Sequence, residues 1–190
     1  VGDMPAQQKR VFASLEYSPW LVAAIHLKKS RSRGQGVWDN VLYGSSSLGY
    51  VVADHQSSTL NRGNTLVYYL PFVEDIDGAR RQLLERDHAY WVDFILRDLG
   101  RVEKNLASDV ERIDIYRWGH GMLRPRPGSL WGDEALWRRR ACGAIFFASC
   151  DSTGLPLFEE ALFAGLAAAE QAMQHLGHVY ISSLGGWARG

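Results

Sequence analysis

Apolar and polar positions alternate along the first half of the chain in short stretches. Gln7 to Glu16 carries a moderate helical pattern that Tyr17-Ser18-Pro19 breaks. Four strand patterns follow, at Trp20 to Leu27, Val37 to Tyr43, Gly49 to His55 and Thr65 to Phe72. Between them, the basic stretch Lys28 to Gly36, with its Ser and Gly, reads as a hairpin or loop, and Asn61-Arg62-Gly63-Asn64 as a turn. Strands joined by short turns predict a largely antiparallel sheet.

Helical spacing takes over after residue 75. Asp75 or Asp77 is placed to cap a helix carrying Ile76, Ala79, Leu83 and Leu84. Trp91, Phe94, Ile95, Leu99 and Val102 repeat the period, so helices near 76–86 and 88–103 are expected on one face of the sheet. Asp109 to His120 alternates as a further strand, with Ile113, Ile115 and Arg117 on one side and Arg112, Asp114, Tyr116 and Trp118 on the other. Pro125 and Pro127 exclude regular structure from Leu123 to Gly128. Trp131 to Arg140 reads as a short helix or loop.

The C-terminal stretch reads as strand, turn and helix. Ala144 to Ala148 is an apolar run suited to a buried strand, and Asp151-Ser152-Thr153-Gly154 is turn chemistry. Pro156 suits the first turn of a helix that Ser152 or Thr153 can cap. Phe158, Ala161, Leu162, Gly165, Ala168, Ala169, Ala172 and Met173 form its expected inner face, small enough for close packing. The predicted class is α/β with α+β character: a mixed, largely antiparallel sheet with covering helices, plus this strand–helix. The expected division is 1–140, 141–176 and a tail, 177–190.

Composition narrows the classes. Of 190 residues, 46% are hydrophobic, enough for a real core, and Lys+Arg and Asp+Glu balance at 21 each. That balance points to neither nucleic acid nor an anionic membrane surface. No apolar run approaches the roughly 20 residues that cross a bilayer, and no signal peptide is visible, so a cytoplasmic location is expected. The two cysteines, Cys142 and Cys150, are expected to be reduced and buried, and too few Cys and His are closely spaced for a zinc site. Gly34-x-Gly36 lacks the third glycine and the following helix of a dinucleotide fingerprint.

Candidate chemistry gathers near the end. A carboxylate at Asp151, beside a helix start, suits the hydroxyls of a ribityl or ribose chain next to an electron-rich ring. An ordinary strand–helix corner would use the same residues. His120 is a candidate proton-transfer group and Trp118 a candidate ring wall; a structural His and a core Trp are the readings set against them. Arg117, Arg124 and Arg126 suit an anionic group or plain surface duty. Cys150 with His120 is a rival pair for a Cys/His hydrolase, though no nucleophile elbow surrounds it. A non-catalytic interaction domain is the third class.

Several motifs occur together in order. They are Trp118-Gly119-His120-Gly121-Met122-x-Arg124-Pro125-x-Pro127-Gly128, Phe147-Ala148, Asp151-x-x-Gly154 and Phe158-Glu159-Glu160-Ala161. Upstream stand Tyr17-Ser18-Pro19-Trp20-Leu21-Val22-Ala23, Trp38-Asp39-Asn40-Val41 and Ser47-Leu48-Gly49-Tyr50-Val51-Val52-Ala53. Over roughly residues 11–176 the chain resembles the C-terminal half of bacterial FAD-dependent oxidoreductases of the flavin amine oxidase type. The resemblance implies an FAD cofactor, a small-molecule substrate, and hydride removal from a C–N or C–C bond. It implies that Ala144–Ala148 and Pro156–Leu176 return the chain to an FAD domain. Asp151, Gly154, the Leu157 and Phe158 amides and Trp118 become expected cofactor contacts, with His120 at the chemistry. Ala24 departs from the Asn usual in that group, and Ser149-Cys150 from the expected His-Ser. No GxGxxG follows a strand, and the chain begins Val1-Gly2. A fragment lacking the nucleotide half, inactive by itself, is the expectation.

Overall fold

The computed structural model describes residues 4–28, 37–53 and 65–185. Most of the predicted loop 28–36, the turn 61–64 and the end of the strand pattern 49–55 lie outside the described residues. The chain divides into two compact units, one of residues 18–121, the other of residues 4–17 and 122–185.

The first unit is a sheet with two helices on one face. Strands β1 (Tyr17–Leu27), β2 (Asp39–Val41), β3 (Gly49–Val52), β4 (Thr65–Pro71) and β5 (Val110–Leu123) lie in the order β2-β3-β4-β1-β5. β1 pairs antiparallel with β4 from Trp20↔Pro71 to His26↔Thr65, and β4 with β3 and β3 with β2 likewise. Lys28 N donates to Asp109 O at one end of β5, and the Trp20 side chain abuts Gly121 at the other, so β5 is also antiparallel. The predicted antiparallel sheet with covering helices is therefore the observed fold. β2 is shorter than the pattern suggested, because Val37, Trp38 and Tyr43 point into solvent.

Alternation decides which face is covered. Leu21, Ala23 and Ile25 of β1 and Leu66, Tyr68 and Leu70 of β4 are buried in one cluster. Against them pack Leu83 of α2 (Ile76–Glu85) and Trp91, Ile95 and Leu99 of α3 (His88–Leu99). Trp91 meets Tyr90, Phe94 and Phe72 edge-on, with centroids at 5.0, 5.9 and 6.1 Å. Asp75 caps α2 by accepting from Gly78 N, and Asp87 caps α3 by accepting from Tyr90 N. Leu84 and Val102, expected on the inner face, are exposed. Leu84 lies one position past the buried Leu83, about 100° round the helix, and Val102 follows the end of α3 at Leu99.

The second unit is helical. It comprises α1 (Ala6–Ala13), α5 (Asp133–Arg139), α6 (Cys150–Thr153) and α7 (Phe158–His175), after the short α4 (Leu106–Asp109) of the first unit. Gln8 of α1 is fully buried and donates Nε2 to Trp137 O and Arg140 O, closing the carbonyl end of α5. Ala144–Ala148, expected as a buried strand, is not one. Cys142 and Ile145 exchange both backbone bonds at 3.0 Å around Gly143-Ala144, with Gly143 at φ 59°. A tight turn consumes half of the run, and no described strand pairs with the rest. The inner face of α7 also differs. Ala164 and Ala168 are buried, whereas Phe158, Leu162, Ala169 and Met173 are exposed. The tail hooks back, with Ser182 Oγ and Ser183 N donating to Glu170 and Leu184 buried.

One carboxylate, its side chain 10% exposed, ties the loop before β3 to α3. Asp98 accepts from Ser45 Oγ at 2.7 Å, Ser47 Oγ at 2.8 Å and Tyr68 OH at 2.8 Å, with Arg101 at 3.4 Å. Burial by itself would raise the Asp98 pKa. The three hydroxyl bonds and Arg101 outweigh it and hold the group below its ordinary 3.8. Its folded-state pKa lies below the unfolded one, so its contribution is complete above the ordinary carboxylate value. It is lost as pH falls through the folded value. Asp98→Ala is expected to cost about 1.5–3 kcal/mol, as for the loss of hydrogen bonds to a charged group. Asp98→Asn should flatten the acid limb of stability below pH 3.8. Urea unfolding of both variants across the acid range checks this.

Candidate functional site

The residues expected around a cofactor fall in both units. In the second, Ser149 caps α6, its Oγ accepting from Asp151 N at 3.1 Å. Asp151, half-buried, is thereby held in the first turn. Its Oδ2 accepts from Tyr17 OH at 2.8 Å, and the Cys150 thiol lies 4.0 Å from Oδ1. The Tyr17 pKa is pushed up to about 12, by burial first, then by the bond to Asp151 and the nearby Asp151 and Cys150 charges.

Gly154 ends α6 in the left-handed region, at φ 96°, and a Cβ there would stand 2.6 Å from Arg138 Nη2. Both the backbone and its neighbour thus demand glycine. Ser152 and Thr153 do not cap the long helix. Their hydroxyls bond back to Ser149 O and Cys150 O, at 2.7 and 3.0 Å. Leu157 takes the cap position of α7 with no side-chain acceptor, and Pro156 stands outside the first turn. Leu157 is 51% and Phe158 76% exposed.

In the first unit, Trp118 and His120 stand two residues apart on β5, the last strand of the sheet, both exposed. His120 lines a groove of about 380 Å³ with Arg80, Leu83, Leu84, Arg117 and Gly119. Arg80 Nε donates to Gly119 O at 3.0 Å. Arg117 Nη1 donates to Leu83 O at 2.8 Å and Arg86 O at 3.2 Å, closing the carbonyl end of α2. Arg126 is likewise engaged within the second unit, its Nη2 donating to Ser14 Oγ at 3.1 Å and lying 3.6 Å from Glu134. Arg124 N donates to Glu16 O. Structure thus brings Asp151 and Gly154 together on α6, and Trp118 with His120 on β5.

Three features escaped sequence reasoning: Tyr17 as partner of Asp151, the Asp98 network, and the buried Arg138. Tyr17 and Asp151 are 134 positions apart, and Asp98 is 51 to 53 from its serines. No local spacing reports such pairs. Arg138 alone carried a signal, as the first of Arg138-Arg139-Arg140 in an amphipathic segment.

Neither cysteine forms a disulfide. Burial first, then the Asp151 carboxylate, pushes the Cys150 thiol up, opposite to what a thiolate nucleophile needs. Among the described residues no cluster of His, Cys, Asp and Glu is arranged to hold a metal ion. Compared with protein-family models and with curated proteins, the chain matches none. No helix of the described residues is long and apolar enough to cross a membrane.

The Tyr17–Asp151 bond carries a pH signature. Because the folded-state pKa of Tyr17 is raised, its contribution is complete below pH 10. It declines as pH rises through 10 towards about 12. The stability difference between the natural chain and Tyr17→Phe is expected to be constant from neutrality to pH 10 and to shrink above it. Thermal unfolding at a series of alkaline pH values measures it; a difference independent of pH would show that the phenol does not donate to Asp151.

Proposed function

We propose that this chain is the substrate-side and C-terminal portion of an FAD-dependent oxidoreductase of the flavin amine oxidase type, acting on a small organic molecule in the cytoplasm. The observation that carries the reading is the apolar surface left uncovered in the second unit. Ile145, Leu157, Phe158, Leu162, Met173 and Leu176 are all exposed, along the 144–148 run and α7. A strand of a parallel sheet forms only between neighbours that share its hydrogen bonds, and a helix beside it buries its apolar stripe only on that sheet. A nucleotide-binding half would supply both. The balanced charge and unpaired cysteines agree with a cytoplasmic enzyme of small molecules rather than a nucleic-acid partner.

The residues present suit part of the cofactor. Asp151 presents a half-exposed carboxylate already oriented by Tyr17, able to accept from a polyol hydroxyl. The start of α7 has no side-chain acceptor at its cap, so its first amides suit an electron-rich ring edge. Nothing in the chain supplies the glycine-rich loop for a pyrophosphate. FAD, when bound, supplies the two-electron acceptance. The second unit's part is to hold the polyol through Asp151 and to keep α6 and Gly154 in place beside Arg138.

The test is to titrate the chain with FAD alone and joined to the nucleotide-binding half of an oxidoreductase of this type. By itself the chain should bind an apolar fluorescent dye and show no saturable flavin binding. Joined, it should retain flavin and lose the dye signal. Asp151→Ala should weaken FAD binding roughly ten- to a hundredfold, matching the about 1.5–3 kcal/mol of a charged hydrogen bond, while Asp151→Asn costs less. Undiminished flavin affinity in Asp151→Ala, with stability reduced by about 1 kcal/mol as for a lost helix cap, would refute the role of Asp151. Failure of the joined protein to retain flavin would refute the whole reading.

A further inference from the structure

The groove of about 380 Å³ beside β5 lies wholly within the first unit. Its volume admits a small organic molecule. Its wall is Arg80, Leu83, Leu84, Arg117, Gly119 and His120, with two arginines and no carboxylate. Arg80 is engaged, its Nε with Gly119 O at 3.0 Å and its Nη1 with Asp77 at 3.3 Å.

Arg117 is placed differently. Its Nη1 closes α2, donating to Leu83 O at 2.8 Å and Arg86 O at 3.2 Å. Those bonds pin the guanidinium, while its Nε and Nη2 have no acceptor among the described residues. Nε–H and Nη2–H form one edge of the planar group, a two-donor fork that matches a carboxylate. A guanidinium already pinned by Nη1 loses little freedom when that edge takes a ligand. Leu84, 82% exposed, offers apolar surface in the same groove. Gly119 leaves it open. Alternation puts Gly119 on the same side of β5 as Arg117, and a Cβ there would meet nothing within 4 Å. The carbonyl end of α2 borders the groove and carries partial negative charge, which opposes a dianion. Phosphate sites use the opposite, amide end of a helix.

We propose that this groove binds a small organic monocarboxylate. Its carboxylate is held side-on by Nε and Nη2 of Arg117, and its apolar part lies against Leu84 in the space beside Gly119. The site belongs to the first unit alone and is independent of the flavin reading.

The experiment uses the full chain, labelled with ¹⁵N, and follows the arginine Nε–Hε resonances. Benzoate, benzamide and phenyl phosphate are titrated in at matched ionic strength. Benzoate should shift the Arg117 resonance saturably, the one missing from Arg117→Gln. Benzamide, with the same ring and no charge, and phenyl phosphate should both bind more weakly. Arg117→Gln should weaken benzoate binding roughly tenfold or more, as the loss of a charged hydrogen bond requires. Gly119→Val should weaken it comparably by filling the groove, with the unfolding midpoint unchanged or raised, since a β-branched side chain suits a strand. Should Arg117→Gln fail to fold for want of its bonds to α2, Gly119→Val and the three-ligand comparison on the natural chain decide, read by saturation-transfer from protein to ligand. No saturable binding of benzoate, benzamide or phenyl phosphate binding as tightly, or undiminished binding in folded Arg117→Gln or in Gly119→Val would each overturn the proposal.

Discussion

The antiparallel register of β1 on β4 is the constraint on which the first unit rests. Seven consecutive pairs, Trp20↔Pro71 to His26↔Thr65, place Leu21, Ala23 and Ile25 on the same side as Leu66, Tyr68 and Leu70. A slip of one residue would turn that whole set to the opposite face. Leu83, Trp91, Ile95 and Leu99 of α2 and α3 bury their side chains in the cluster that this face forms. Their caps and their apolar stripe have meaning only because the strands present that face. The sheet's other face carries Thr65, His26, Asp114 and Arg112 in one hydrogen-bonded row across β4, β1 and β5. That row is compatible only with the same register.

Polar side chains make the long-range ties. Asp98 binds the segment before β3 to α3 and to Tyr68 of the central strands. Gln8 closes α5 from α1, and Tyr17 holds Asp151. Arg138 sits under Gly154. Each is one buried or half-buried group whose partners come from distant parts of the chain. Removing a partner leaves the other desolvated, which costs more than the bond contributes by itself. The second unit relies on such ties more than the first because its apolar surface is only partly covered. Phe158, Leu162 and Met173 of α7 remain in solvent while Ala164 and Ala168 are buried.

Periodicity was sufficient for β1, β4, β5, α2 and α3, for the antiparallel sheet and for the helices on one face, because each of these elements buries one face of a repeating pattern against neighbours within the same unit. It missed where an apolar run finds no partner. Ala144 to Ala148 has a strand's composition, yet Gly143 lets the backbone reverse and pair Cys142 with Ile145, and no described strand pairs with it. The inner face of α7 was misjudged for a related reason: which of its faces packs depends on what stands opposite.

Asp151 and Gly154 stood out by turn chemistry, and His120 by its place at a strand's end before a rigid proline loop. What the sequence determined by itself was therefore local: element type, capping by Asp75, and the glycine needed at 154. Tertiary structure alone decided the partners. Tyr17 for Asp151, the serines for Asp98, and a carbonyl rather than a carboxylate for Arg138 all join positions whose separation along the chain leaves no local trace. The physical reason is that backbone conformation is governed by neighbours a few residues away. Desolvation and hydrogen-bond satisfaction are governed by whatever the completed fold brings within about 3 Å.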